Sequence, residues 1–102
     1  MNEKALEQEM SDKGLNAPRV TSDMIDEIIR YEDYYVFPDT TLTICCLTLS
    51  NGFNVTGESA AVSLENFDQD IGRRVARENA RNKIWALEGY RLKTNLCNTK
   101  PE

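Results

Sequence analysis

Histidine does not occur in this chain. Its absence removes the commonest general base and the commonest metal ligand, and every triad built on an imidazole goes with them. No stretch approaches the roughly 18 apolar residues of a membrane span, and Met1 to Pro18, charged and polar, has no apolar signal-peptide core. Cysteine is scarce and odd in number: three, of which Cys45 and Cys46 are neighbours. On a strand these two point to opposite faces and are poor partners for each other. The expectation is three buried, reduced thiols in a cytosolic protein. The sequon Asn54-Val55-Thr56 is then a chance match. No metal and no cofactor is expected.

Charge is abundant and unevenly placed. The chain of 102 residues has a formal charge of −5. Yet Arg73 to Lys93 holds seven of its twelve basic residues and two of its seventeen acidic ones, so this segment carries +5 and the remainder −10.

A chain of this length makes one domain. Residues 1–18 read as a flexible charged N-terminal tail, 19–93 as a single α+β domain and 94–102 as a C-terminal tail. Thr21-Ser22-Asp23 supplies N-cap chemistry for a short helix from about Ser22 to Glu32, with Ile25, Ile28 and Ile29 on one face. Tyr34-Tyr35-Val36-Phe37, stopped by Pro38, reads as a brief strand or extended segment. Asn51-Gly52 between "TLTICCLTL" and "FNVTGESAAV" marks a β-hairpin. A two-residue loop would set Thr48 opposite Val55 and Cys46 opposite Gly57. That register gathers Leu42, Ile44, Cys46, Phe53, Val55 and Ala61 on the core face. Asn66 with Gln69 resembles a capping box, with Ser63 a second candidate, so a long helix is expected from near Phe67 to a stop at Gly89. The fold class is therefore α+β: an antiparallel hairpin, with a third short strand if Tyr34–Phe37 pairs, packed on one long C-terminal helix and one short N-terminal helix.

The long helix has two apolar stripes. Phe67, Ile71, Val75 and Trp85 form one; Ala76, Ala80, Ile84 and Leu87 form the other. So small a domain has little with which to cover both. The small-residue stripe suits close helix approach, and a homodimer or higher oligomer through Ala76, Ala80, Ile84 and Leu87 is expected. Between the stripes run Arg73, Arg74, Arg77 and Arg81. Their placement reads in two ways. Acids in the first turn and bases later match the helix dipole, and Asp70 with Arg74 is an i,i+4 pair, which suits a solvated or intersubunit salt-bridge face. Arginines three and four apart also repel one another, and they chelate phosphate or carboxylate in a bidentate way, which suits an anion site. Duplex nucleic acid is disfavoured by a sequence pI near 4.7 and by the lack of a recognised motif.

Other constellations are weaker. "GESAA", Gly57 to Ala61, lacks the closing glycine of a nucleophile elbow and has no histidine to complete a triad. Phe67, Trp85 and Tyr90 read as core rather than as a base-stacking platform. Nothing assembles a nucleophile, a base and an oxyanion donor, so no enzymatic activity is expected.

"NGFNVTGESAAV" followed by "NFDQDIGRRVARENARNKIWALEGYRLK" resembles the small tailed-phage protein family named for a gene product 49 and a gene 66. The likeness runs from about Thr40 to Lys93, with "MIDEIIRYEDYYVF" upstream also in keeping. Its hallmarks are Asn51-Gly52-Phe53, Gly57, Ser59-Ala60, Asn66-Phe67, Ile71-Gly72, Ala76, Asn79-Ala80, Lys83-Ile84-Trp85 and Leu87-Glu88-Gly89-Tyr90. The resemblance implies an accessory protein of a phage or prophage, expressed in the cytoplasm of the infected or lysogenic bacterial host. It brings no catalytic or ligand residues with it. Two modes of action are expected from resemblance and charge pattern together. One is counter-defence by sequestering an anionic, nucleotide-type signal at an oligomer interface, with Arg74, Arg77 and Arg81 on phosphate and Asn79, Asn82 or Tyr90 adding polar or stacking contacts. The other is an inhibitor or adaptor that binds a host protein through its acidic surface.

Overall fold

The computed structural model describes residues 2–98. In chain order they form α1 (Glu3–Asp12), α2 (Ser22–Ile28), β1 (Ile29–Val36), β2 (Leu42–Leu49), β3 (Asn54–Ala60), a 3-10 turn (Leu64–Asn66) and α3 (Gln69–Asn98). The strands make one antiparallel sheet in the order β1-β2-β3. Helices cover one face of it, and the α+β class holds.

The hairpin tip decides which face that is. Gly52 N donates to Leu49 O at 2.9 Å and Leu49 N to Phe53 O at 2.8 Å, so the loop is Ser50-Asn51-Gly52, three residues long. Gly52 adopts φ 90° there, a left-handed conformation suited to glycine. Asn51 Oδ1 holds the turn by accepting from Phe53 N. The extra loop residue moves the pairing by one: Leu47 lies opposite Val55 and Cys45 opposite Gly57. A slip of one residue exchanges the faces of a strand. The core face of β2 is therefore Thr43, Cys45, Leu47 and Leu49, all buried, while Leu42, Ile44 and Cys46 lie on the other face. Of the six residues expected inside, Val55 is buried and Phe53 is exposed. The cysteines divide accordingly: Cys45 is buried, Cys46 partly so and Cys97 exposed, all three as free thiols.

Thr21 caps α2 by accepting from Met24 N, but the helix ends at Ile28 rather than near Glu32. From Ile29 onward the chain joins β2, with an irregularity between Ile29 and Tyr31. Isoleucine, tyrosine and valine favour this state, and pairing with a central strand satisfies their backbone groups, which a local helical period cannot outweigh. The third strand is thus eight residues long. In α3 the cap is Asp68, whose Oδ1 accepts from Ile71 N at 3.0 Å; Asn66 and Ser63 bound the preceding 3-10 turn. Gly89 does not stop the helix, which continues to Asn98. Residues 3–12, read from sequence as part of a tail, form α1. Of the segment 94–102, residues 94–98 continue α3 and the rest lie outside the described residues.

Ala76, Ala80 and Ile84 are wholly buried against the chain's own sheet, not at a surface between copies, and only Leu87 of that stripe is exposed. The cause is the closeness of α3 to β3. A Cβ on Gly57 would lie 2.2 Å from Ala80 N and 2.3 Å from Ala76 O. Small residues on both elements let backbone meet backbone, and Ile25, Leu47, Val55 and Ile84 fill the space around that contact. Substituting Gly57 should therefore be far costlier than substituting Gly89, which has nothing within 4 Å of a would-be Cβ. G57A is expected to cost about 3 kcal/mol or more in urea unfolding. G89A, inside a helix and unobstructed, is expected to gain about 0.5–1 kcal/mol.

Candidate functional site

The arginine stripe is consumed largely by the protein's own carboxylates. Arg81, at 8% side-chain exposure, lies between α3, α2 and α1. Its Nη1 donates to Glu3 Oε2 at 2.8 Å and its Nε to Asp26 Oδ1 at 2.9 Å. Nη2 donates to Ser22 O and to Ser22 Oγ. Trp85 Nε1 donates to the same Glu3 oxygen at 3.1 Å. The planar fork suits such an arrangement, because each of its three nitrogens donates to a fixed acceptor. Arg81 accordingly holds its proton more firmly than a free guanidinium, chiefly through the Glu3 hydrogen bond. Reciprocally, that bond from Arg81 holds the Glu3 carboxyl below the usual glutamate value of 4.5.

Arg77, one turn earlier, donates from Nε to Glu32 Oε2 at 3.0 Å and so ties α3 to β1. Glu32 also accepts from Tyr34 Oη, and this bond is the main cause of its lowered pKa. Tyr34 is pushed up, first by burial and then by Glu32. Arg73 stacks over the Tyr34 ring at 5.2 Å. Arg74 pairs with Asp70 within α3, both largely exposed. Asn79 Nδ2 donates to Glu58 O at 2.8 Å, clamping α3 to β3. Asn82 lines a cavity beneath α1, and Tyr90 stands in solvent.

The six residues expected around an anion thus do not converge. Arg81 and Arg77 are struts, Asn79 is a clamp, and Arg74, Asn82 and Tyr90 lie in separate settings. Sequence reading missed Glu3, Ser22, Asp26 and Glu32 as the partners. Nothing local signals a bond between Glu3 and Arg81, 78 residues apart. For Gly57 a signal existed: a lone glycine in a strand beside a small-residue helix stripe.

What the fold leaves free is the second face of the sheet. The pairings place Tyr31, Thr48 and Asn54 in one row, Asp33, Cys46 and Thr56 in the next, then Tyr35, Ile44 and Glu58. Leu42 and Ala60 follow, with Phe37 beside Leu42 through its N–H bond to Leu42 O. Tyr35 and Phe37 meet edge to face at 4.8 Å. Tyr31 is 62% and Tyr35 55% exposed. These rows contain two carboxylates, three aromatic rings and no lysine or arginine. Aromatic rings beside small polar residues, on a rigid sheet, make a surface suited to contact with another macromolecule. Among the described residues no group of three or more acidic or cysteine side chains is placed to hold a metal ion. No helix there is long and apolar enough to cross a membrane.

A family model described as "Phage protein (N4 Gp49/phage Sf6 gene 66) family" matches residues 20–96. No curated protein and no solved structure matches the chain. The matched span holds the sheet, α2 and nearly all of α3; α1 lies before it.

Two outcomes should separate struts from surface charges. R81M is expected to cost about 3 kcal/mol in urea unfolding, as for a cut buried pair, and R74M within about 0.5 kcal/mol, as for an exposed one. The lowered carboxyls set the acid response. Each contributes stability in full above its unfolded value and loses it as pH falls through the lower folded value. Stability should therefore decline below about pH 4.5, and an E3Q/E32Q chain should show a flatter decline in pH-dependent thermal unfolding.

Proposed function

Because the chain belongs to the Phage protein (N4 Gp49/phage Sf6 gene 66) family, we propose that it serves a phage as a non-enzymatic accessory protein. In this reading it acts in the cytoplasm of the bacterial host by binding a host protein and inhibiting or redirecting it. The observation that carries this reading is the uncovered sheet face. Its rings give an apolar flank along β1, and Asp33 and Glu58 give a negative field with no basic residue among the paired rows. The complementary partner presents apolar side chains among lysines or arginines, the composition of a nucleic-acid-binding enzyme's surface. The net charge of −5 steers such a partner inward. Capture of an anionic nucleotide by the arginine stripe has less support, since Arg81, Arg77 and Arg74 already meet Glu3, Asp26, Glu32 and Asp70.

A photo-crosslinking amino acid placed at Thr48, on the central strand of the face, tests this in infected bacteria. One host polypeptide should be joined at Thr48 and not at Lys93 on the exposed end of α3. Adding Y35S and I44S to the Thr48 probe chain should lower the yield about tenfold or more while thermal unfolding stays cooperative. Equal labelling from both positions, or none at Thr48, would remove the reading.

A further inference from the structure

Helix α1 is held in place without burying any of its residues. Its attachments are polar. Lys4 pairs with Asp23, Glu7 Oε2 accepts from Ser22 N at 2.7 Å, and Glu3 Oε2 accepts from Arg81 and Trp85. Glu3, Leu6, Glu7 and Met10 fall on one helical face, three and four residues apart. That face does not close on the body. A cavity of about 520 Å³ remains, with Leu6 and Met10 on one side and Val20, Glu78, Asn82 and Trp85 on the other. Such a volume belongs to binding sites rather than to packing between elements. Arg19, also lining it, has a buried Nε with no hydrogen-bond partner, while its Nη1 donates to Leu15 O. The seat is therefore specific in its polar contacts and loose in its apolar ones.

We propose that this groove is a receptor for an amphipathic acidic helix of a partner protein, and that α1 is a weak occupant which the partner displaces. The chemistry of the partner follows from what α1 fulfils and what it leaves open. Two carboxylates one turn apart satisfy Arg81 with Trp85 and the backbone N–H of Ser22. Larger apolar side chains at the places of Leu6 and Met10 fill the gap. Helix-in-groove recognition uses this pattern of anchors. The walls from Val20 onward lie within the family-matched residues, whereas α1 lies outside them. Departure of α1 leaves the hydrophobic cluster untouched, because none of its members comes from α1.

Fluorescein-labelled peptides of residues 2–13 serve as the probe, titrated by anisotropy against the full chain. In the wild-type chain the peptide competes with α1, so its apparent affinity is reduced by the fraction of chains in which α1 is docked. K4E turns the exposed Lys4–Asp23 pair repulsive without touching the groove, and should tighten peptide binding about threefold. An E3Q/E7Q peptide should bind neither chain measurably. An L6F/M10F peptide should bind more tightly than the native one. Equal affinity for wild-type and K4E chains, or an E3Q/E7Q peptide as good as the native one, overturns the proposal. If K4E unfolds, the same comparison is made with K4A, which removes the pair and adds no repulsion. A concentration-dependent dimer of the wild-type chain that the native peptide dissociates would assign the groove to α1 of a second copy, and so overturn the assignment to a partner protein.

Discussion

The distance between α3 and β3 sets everything else in this protein. Two backbones meet at Gly57, with Ala76 and Ala80 above it, at a separation that admits no methyl group. A helix seated so low brings Arg81 to the level of α2 and Arg77 to the edge of β1, where Asp26 and Glu32 wait. It also fixes how much of α3 the sheet can cover. Burial ends at Ile84, and from Lys93 to Asn98 every residue is exposed. The apolar stripe of Ile71 and Val75 is left outside because the alanine stripe has taken the seat. Small residues, usually the passive part of a core, here choose the orientation of the longest element.

The elements of the fold were largely legible: a hairpin at Asn51-Gly52, a capped short helix after Thr21 and a long helix rich in alanine and arginine. Their relations were less so. One loop residue more than expected turned β2 over, because a strand's side chains alternate with a period of two. β2 offered no warning, since it is apolar on both sides. The same ambiguity assigned Ala76, Ala80 and Ile84 to a partner chain when they serve this one. Periodicity finds stripes; it does not say what covers them.

The arginines show a second limit. Their clustering is a property of sequence, but their meaning depends on acids from three other elements, Glu3, Asp26 and Glu32. Local pairing through Asp70 and Arg74 was foreseeable from spacing alone, and it is the least consequential of the set. A basic patch on an acidic protein is here the inner half of its own neutralisation. Each strut joins an element that hydrophobic burial holds poorly: α1 has no buried residue and the exposed edge strand β1 has few inward apolar groups.

The two-sided character of β2 has a further consequence for the energy landscape. Exchanging Cys45, Leu47 and Leu49 for Ile44, Cys46 and Leu42 would alter the buried oily area little, so the hydrophobic effect alone separates the native pairing only slightly from its one-residue neighbour. The gap between these basins must come from shape. In the slipped sheet Cys46 would lie opposite Gly57, and Ile44 and Thr48 would take the places of Thr43 and Leu47 beneath α3. Gly57 admits α3 in either pairing, so uniqueness rests on which side of β2 is shaped to lie beneath the helix, with Leu47 rather than Thr48 beside Val55.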